Sequence, residues 1–274
     1  MKIIDFDRHF YEYAAKWVAA HPGLTEQQID ESYNVMMREW VSRSADWLDG
    51  AAPEHYFDAV TDPAELIDLI CGYADQNINL PEPLYARIVS MGEQCDKQLA
   101  AIAADDTKKE VLRAEALGML RDMNSRAADD ALIRMVVTCE ETGELADMAA
   151  DILSDRACDV ADALLSAYPD APAIAQNMIL DICVNAPGDE RIFTYLVQKL
   201  RNDPEQRAMN AALLEKLGDE RAIEPLKQML TLFDLTYFDY LALRDAVESL
   251  GGDAGEERTF YGDPDYEALR NLQE

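Results

Sequence analysis

The sequence predicts an all-α protein whose middle and later parts are stacked helical pairs, an α-solenoid. Three observations carry this expectation. Apolar residues recur at helical spacing along nearly the whole chain, no run alternates apolar and polar residues for long enough to be a strand, and a unit of about 30 to 35 residues repeats.

The elements follow in chain order. Phe6, Phe10, Tyr13 and Trp17 fall on one helical face, and so do Ile29, Tyr33, Met36, Trp40 and Trp47 at steps of three, four and seven. Helix starts are marked by Thr25-Glu26-Gln27-Gln28, a capping box, and by Asp62-Pro63-Ala64-Glu65 and Asp203-Pro204-Glu205-Gln206, each an Asp cap followed by Pro. Aromatic usage divides the chain: of 22 Phe, Tyr and Trp, 12 lie at or before Tyr85, only Tyr168 lies between Arg87 and Ile192, and 9 follow. The front therefore packs on large rings, the middle on Ala, Leu, Ile and Met, which suits closely approaching helices. With a break at Pro81-Glu82-Pro83, the expected organisation is an aromatic-rich helical cap over 1–82, repeats over 83–251 and a tail over 252–274. In that tail Gly251-Gly252-Asp253-Ala254-Gly255 should stop the last repeat helix and be mobile. Asp263-Pro264-Asp265-Tyr266 should start a short helix that covers the end of the stack.

The repeat is read from an arginine after each break: Arg126, Arg156, Arg191 and Arg221, spaced by 30, 35 and 30 residues. Two positions on stand Ala128, Cys158, Phe193 and Ile223; five on, Ala131, Ala161, Leu196 and Leu226; nine on, Met135, Leu165, Leu200 and Leu230. These offsets share one helix face. An acid marks each turn: Asp122, Asp155, Asp189 and Asp219. A unit of two short helices cannot bury its apolar face alone, so neighbours must stack.

The segment Ala211-Ala212-Leu213-Leu214-Glu215-Lys216-Leu217-Gly218-Asp219-Glu220-Arg221-Ala222-Ile223-Glu224-Pro225-Leu226-Lys227-Gln228-Met229-Leu230, followed by Leu243-Arg244-Asp245-Ala246-Val247-Glu248-Ser249-Leu250-Gly251, resembles the short HEAT-like repeat also called the phycobilisome-lyase-type repeat. Val111-Leu112-Arg113-Ala114-Glu115-Ala116-Leu117-Gly118 echoes it. The resemblance covers about 84–251. It implies about five repeats in a right-handed superhelix and a role in macromolecular recognition, without implying one activity.

Charge and motifs exclude several classes. Against 54 Asp and Glu stand 24 Lys and Arg, a net charge of −30, which disfavours nucleic acid and anionic membrane as partners. A HEAT-like DNA-handling enzyme would need a cationic concave face, but Arg113, Arg121, Arg126, Arg134, Arg201 and Arg207 are outnumbered by acids in their own repeats. The first residues lack a secretory h-region, and the longest apolar run, Leu99 to Ala104, is too short to cross a bilayer. Five cysteines without a Cys-x-x-Cys pair read as reduced, buried thiols in a cytoplasmic protein. No nucleophile elbow, phosphate loop or calcium loop occurs. His9, His21 and His55 precede the repeats without metal-ligand spacing, so no catalytic residue, metal or cofactor is expected.

Two features could bind. Asp129, Asp130, Glu140, Glu141, Glu144, Asp147, Asp151, Asp155, Asp159 and Asp162 crowd two repeats, with only Arg134 and Arg156 among them. They read as a solvated face that keeps the chain soluble or as a surface for a basic protein or peptide. In a HEAT-like stack the second helix of each pair lines the groove. That places Glu144, Asp147 and Asp151 there, with Gln176, Asn177 and Asp181 of the next inner helix, and turns Asp129, Asp130, Asp159 and Asp162 outward. The other feature is Phe233-Asp234-Leu235-Thr236-Tyr237-Phe238-Asp239-Tyr240. It lengthens the last turn with rings that either fill the core or bind. The expected function is a non-enzymatic adaptor. The alternative is a lyase- or chaperone-like handler of a chromophore or small ligand, with Cys158 or Cys183 near an apolar cleft.

Overall fold

The structure is a computed structural model that describes the backbone of residues 1–273 and side chains through Arg270. It is all-α: among the described residues there is no strand. Contacts divide the chain into two compact units, Met1–Ala131 and Leu132–Glu274.

The first unit contains α1 (Phe6–Ala20), α2 (Glu26–Glu31), α3 (Tyr33–Val41), α4 (Pro63–Asp75), α5 (Glu82–Met91), α6 (Asp96–Ala104) and α7 (Glu110–Asp122); α8 (Asp129–Val137) begins in it. Its front packs on rings, as the composition suggests. Phe6 is buried with Trp47 at 5.3 Å and Trp40 at 6.3 Å, both edge-on, and Phe57 stacked at 5.7 Å. Such rings bury the largest areas of any side chains and favour these edge-on geometries. The expected face from Ile29 to Trp47 is broken. Ser32 separates α2 from α3, Trp47 sits in a one-turn 3-10 helix over 46–48, and Tyr33 is exposed while Met36 and Trp40 are buried. Tyr73 of α4 donates its hydroxyl to the Ile4 carbonyl at 3.0 Å, fastening the residues that lead into α1, whose start Asp5 caps through the Arg8 N–H. The residues Pro81 to Pro83 lie inside this unit, with Pro81 buried and α5 packed on α4 and α7. Both predicted front caps form: Thr25 and Gln28 close the full capping box, and Asp62 accepts from the Ala64 N–H with Pro63 opening α4.

The second unit contains α9 (Glu144–Ser154), α10 (Ala157–Ala167), α11 (Ala173–Cys183), α12 (Glu190–Asn202), α13 (Arg207–Leu217), α14 (Ile223–Leu230), α15 (Tyr237–Ser249) and α16 (Pro264–Gln273). Helices pair as α10 with α11, α12 with α13 and α14 with α15, while α9 packs on α11 and α13 on α15. The helices α9, α11, α13 and α15 each carry a fully buried alanine, Ala149, Ala175, Ala211 and Ala246, where small side chains let neighbours approach.

Two turns share one device. Asp189 accepts from the Arg191 N–H at 2.9 Å, and the Arg191 guanidinium folds back on Asp189 while reaching Asp162 of α10 at 2.7 Å. Asp219 and Arg221 repeat this, with Arg221 reaching Glu190 of α12 through two bonds of 2.9 Å and lying over Phe193. The hydrogen bonds from Arg191 and Arg221 hold both aspartates below the ordinary carboxylate range. At the other two turns Asp155 closes α9, and Asp122 accepts the Tyr85 hydroxyl at 2.7 Å. Cys158 also departs from the repeat register. It is exposed, because α10 buries Ala157, Val160, Ala161, Leu164 and Leu165 instead. Asp203 makes no cap bond. It ends α12, 3.8 Å from Lys199, and a 3-10 turn over Pro204–Gln206 precedes α13.

The tail is tied down, contrary to the expected mobility of its glycine run. Arg244 donates to the Gly255 carbonyl at 3.1 Å, and Arg258 to the Leu232 carbonyl at 2.6 Å. Phe260 is buried among Tyr237, Tyr240 and Tyr266. Asp263 accepts from the N–H groups of Asp265 and Tyr266 with one oxygen and from the Tyr237 N–H with the other, so one carboxylate serves the starts of α15 and α16. These backbone donors, Tyr237 first, lower its pKa from 3.8. The stability it contributes is therefore present above that value and lost as pH falls through the lowered one. Asp263→Ala is expected to lower Tm near neutrality, with the gap to wild type closing in acid. An equal gap at about pH 7 and about pH 3 would assign the loss to something other than the carboxylate.

Candidate functional site

The predicted acids of α9 are set out by the helix itself. Gly143 supplies an extended N-cap without a side chain, Glu144 and Asp147 occupy the first turn, and Asp151 follows one turn later. The face behind them buries Ala149, Ile152 and Leu153. Acids in the first turn are stabilised by the helix dipole, which accounts for Glu144 and Asp147 but not for Asp151. All three are exposed, and none has an ion pair or side-chain hydrogen bond among the described residues. Asp147 and Asp151 are four residues apart and repel each other by a few tenths of a kcal/mol, about the size of one helix-surface ion pair.

On α11 the three predicted residues have different environments. Gln176 donates to the Tyr168 and Ala171 carbonyls at 3.3 and 3.2 Å, a bond set that secures the α10 to α11 turn. Asn177 is half-buried, and its Oδ1 is buried without a partner. Asp181 is exposed and lies 3.5 Å from Lys216 of α13, so its charge is already partly met.

The aromatic segment splits as well. Thr236 caps α15 through the Asp239 N–H, so Tyr237, Phe238 and Tyr240 belong to the helix and not to a lengthened turn. Phe233 is 96% exposed and Phe238 54%, Tyr237 is half-buried in the Phe260 cluster, and Tyr240 is 5% exposed. The Tyr240 hydroxyl accepts from the Arg258 N–H at 2.9 Å and from Arg244 at 3.1 Å. Tyr240 is therefore core and tail anchor, a correction to its reading as a binding ring. Phe233 and Phe238 alone remain available at the surface.

A cleft that the sequence did not reveal lies beside Gln176. Tyr168 and Tyr195 stack at 4.1 Å, and Gln198, Lys199, Asn202 and Asp203 complete a space of about 470 Å³. Burial pushes the Tyr168 hydroxyl up to about 12, so it stays protonated. Neither Cys158 nor Cys183 lines this cleft. Cys183 is buried, and that burial pushes its thiol up to about 12, far from a reactive thiolate.

The histidines pack on rings or pair with acids. His9 stacks on Trp47 at 3.9 Å, His21 on Trp17 at 4.0 Å, and His55 lies 2.9 Å from Asp58. Among the described residues, no group of three or more His, Cys, Asp or Glu is arranged to hold a metal ion, and no helix is long and apolar enough to cross a membrane. No model of a known protein family matches the chain, and no curated protein matches it significantly.

Proposed function

We propose that the chain is a non-enzymatic interaction scaffold, a HEAT-like α-solenoid over about 84–251, that binds a basic protein or peptide in the cytoplasm. The observation that carries this reading is the exposed, unpaired set Glu144, Asp147 and Asp151 on α9, beside α11, whose Asp181 has found a lysine. The net charge of −30 adds a field that draws in a cationic partner and repels nucleic acid and anionic membrane. Exposed Phe233 and Phe238 would add apolar contact at the end of the repeats.

The test uses a fluorescent Lys/Arg-rich peptide in low salt. The double variant Asp147→Asn, Asp151→Asn is expected to bind it about fivefold more weakly, from roughly 0.5 kcal/mol per exposed charge. Thermal stability should stay unchanged or rise slightly, because like-charge repulsion is relieved. The control is Glu26→Gln with Asp30→Asn on α2, which removes the same charge elsewhere. Equal weakening in both variants would reduce the α9 acids to a share of the overall field.

The Tyr168–Tyr195 cleft favours the second reading, a handler of a chromophore or other small ligand, because stacked rings with amides beside them suit a flat polar molecule. A thermal-shift response to planar ligands that Tyr195→Ala abolishes would favour that reading over the scaffold.

A further inference from the structure

A second cavity, wholly within the first unit, is chemically unlike the acidic face of α9. It encloses about 290 Å³ between α4, the segment Asn77 to Leu80 and the first turns of α7. Ile70, Ile78, Leu80 and Val111 give it an apolar lining. Such a size lies at the lower end for pockets that take small ligands. Val111 is 60% exposed at the start of α7, a large apolar side chain left in water beside an apolar space.

Into this lining the chain places one carboxylate, Glu115. It is half-buried and has no hydrogen bond or ion pair among the described residues. Burial first, and the Glu82 carboxylate of α5 second, hold its pKa above 4.5. Other titratable groups around it are committed elsewhere. Tyr73 bonds the Ile4 carbonyl, and Tyr85 bonds Asp122. Lys109 donates to the Ala74 carbonyl at 2.7 Å and to Asn77 Oδ1 at 2.9 Å, while Arg113 serves the Ala103 carbonyl and Asp106. The carboxylate has been desolvated without receiving a counter-charge.

The chemistry of the missing group follows by elimination. An anion would meet Glu115 and Glu82 together. A neutral apolar guest would leave the carboxylate dry and unpaired, which costs more than it returns. A calcium-like ion is held by several acidic groups together, and this lining supplies one carboxylate. An ammonium on a short hydrocarbon chain satisfies both parts of the cavity, the carboxylate and the lining.

We propose that this cavity binds a primary alkylammonium group, as a free amine or as a lysine side chain, with Glu115 as its counter-ion and Ile70, Ile78, Leu80 and Val111 sheltering its carbons. The site is independent of the α9 acids, and its test reads a different part of the chain.

The experiment is calorimetric titration of the full chain with n-hexylamine, hexan-1-ol, hexanoate and Nα-acetyl-lysine methylamide. n-Hexylamine is expected to bind about tenfold or more tightly than hexan-1-ol, as a charge-assisted hydrogen bond in a partly dry site requires, and hexanoate is expected to bind least. Glu115→Gln should bring n-hexylamine to the level of hexan-1-ol without lowering Tm, since it removes a desolvated charge. Val111→Trp, a change at an exposed position, should block amine and alcohol alike and locate the site should the glutamine variant fold poorly. Whichever of n-hexylamine and the lysine derivative binds more tightly identifies the source of the ammonium. Equal affinity for n-hexylamine and hexan-1-ol in the wild type, or an amine preference that survives Glu115→Gln, overturns the proposal.

Discussion

Leu214→Ala is expected to destabilise the second unit by about 3 kcal/mol, because deleting a fully buried leucine loses its transfer energy and leaves a cavity. Leu214 is 0% exposed on α13, the helix that packs on both α12 and α15, so no single neighbour can move in to close the gap. For a unit of this size the loss corresponds to a fall in Tm of roughly 10 °C. Met209→Ala on the same helix is the matched comparison. Met209 is 38% exposed, and its replacement should cost within about 0.5 kcal/mol. Thermal or urea unfolding of the two variants checks the register of α13: similar losses would mean that the helix is turned differently about its axis.

Gly252→Val is the second large effect, expected at about 2 kcal/mol from overpacking. A Cβ at position 252 would lie 2.8 Å from Ile223 Cγ2, 2.9 Å from Val247 Cγ1 and 3.1 Å from the Val247 carbonyl oxygen. That carbonyl also accepts the Gly252 N–H at 2.8 Å, so the backbone cannot withdraw without losing the bond. The requirement is for space and not for an unusual φ. Gly143 gives the contrast, since a Cβ there meets nothing within 4 Å and its φ is −170°. Gly143→Ala should therefore cost only the small N-cap preference for Gly over Ala, and a loss at position 252 as small as that at 143 would show that the close approach around Gly252 is relieved in solution.

Helices and their starts were legible in the sequence because they are set by neighbours. The Thr25 capping box and the Asp62-Pro63 start depend on residues within four positions, whereas Asp203 makes no side-chain cap bond and Thr236 caps a helix inside the segment that the sequence reads as a lengthened turn. The residues five positions beyond each arginine, Ala131, Ala161, Leu196 and Leu226, are all buried. The offset of two failed at Cys158, which is exposed although Ala161 and Leu165 of the same helix are buried. Sequence spacing measures rotation about one helix axis and not the neighbour that helix chooses. The binding candidates were legible as charge and ring content, but their partners were not. Tyr240 and Gln176 are committed within the fold by residues 18 and 8 positions away, and Asp181 meets a lysine 35 positions on. Glu115 gave no signal at all, because an acid in a helix reads as solvated until α4 and α5 are placed against it.

The aromatic division has an optical consequence. Trp17, Trp40 and Trp47 all belong to the first unit, with Trp40 and Trp47 stacked at 6.2 Å inside the Phe6 cluster, and the second unit holds no tryptophan. Indole emission excited at its red edge therefore reports only on the first unit, while tyrosine is shared, with six in each unit. Unfolding of the first unit can thus be followed by tryptophan emission in the unlabelled protein, and its difference from the helical signal of the whole chain reports the second.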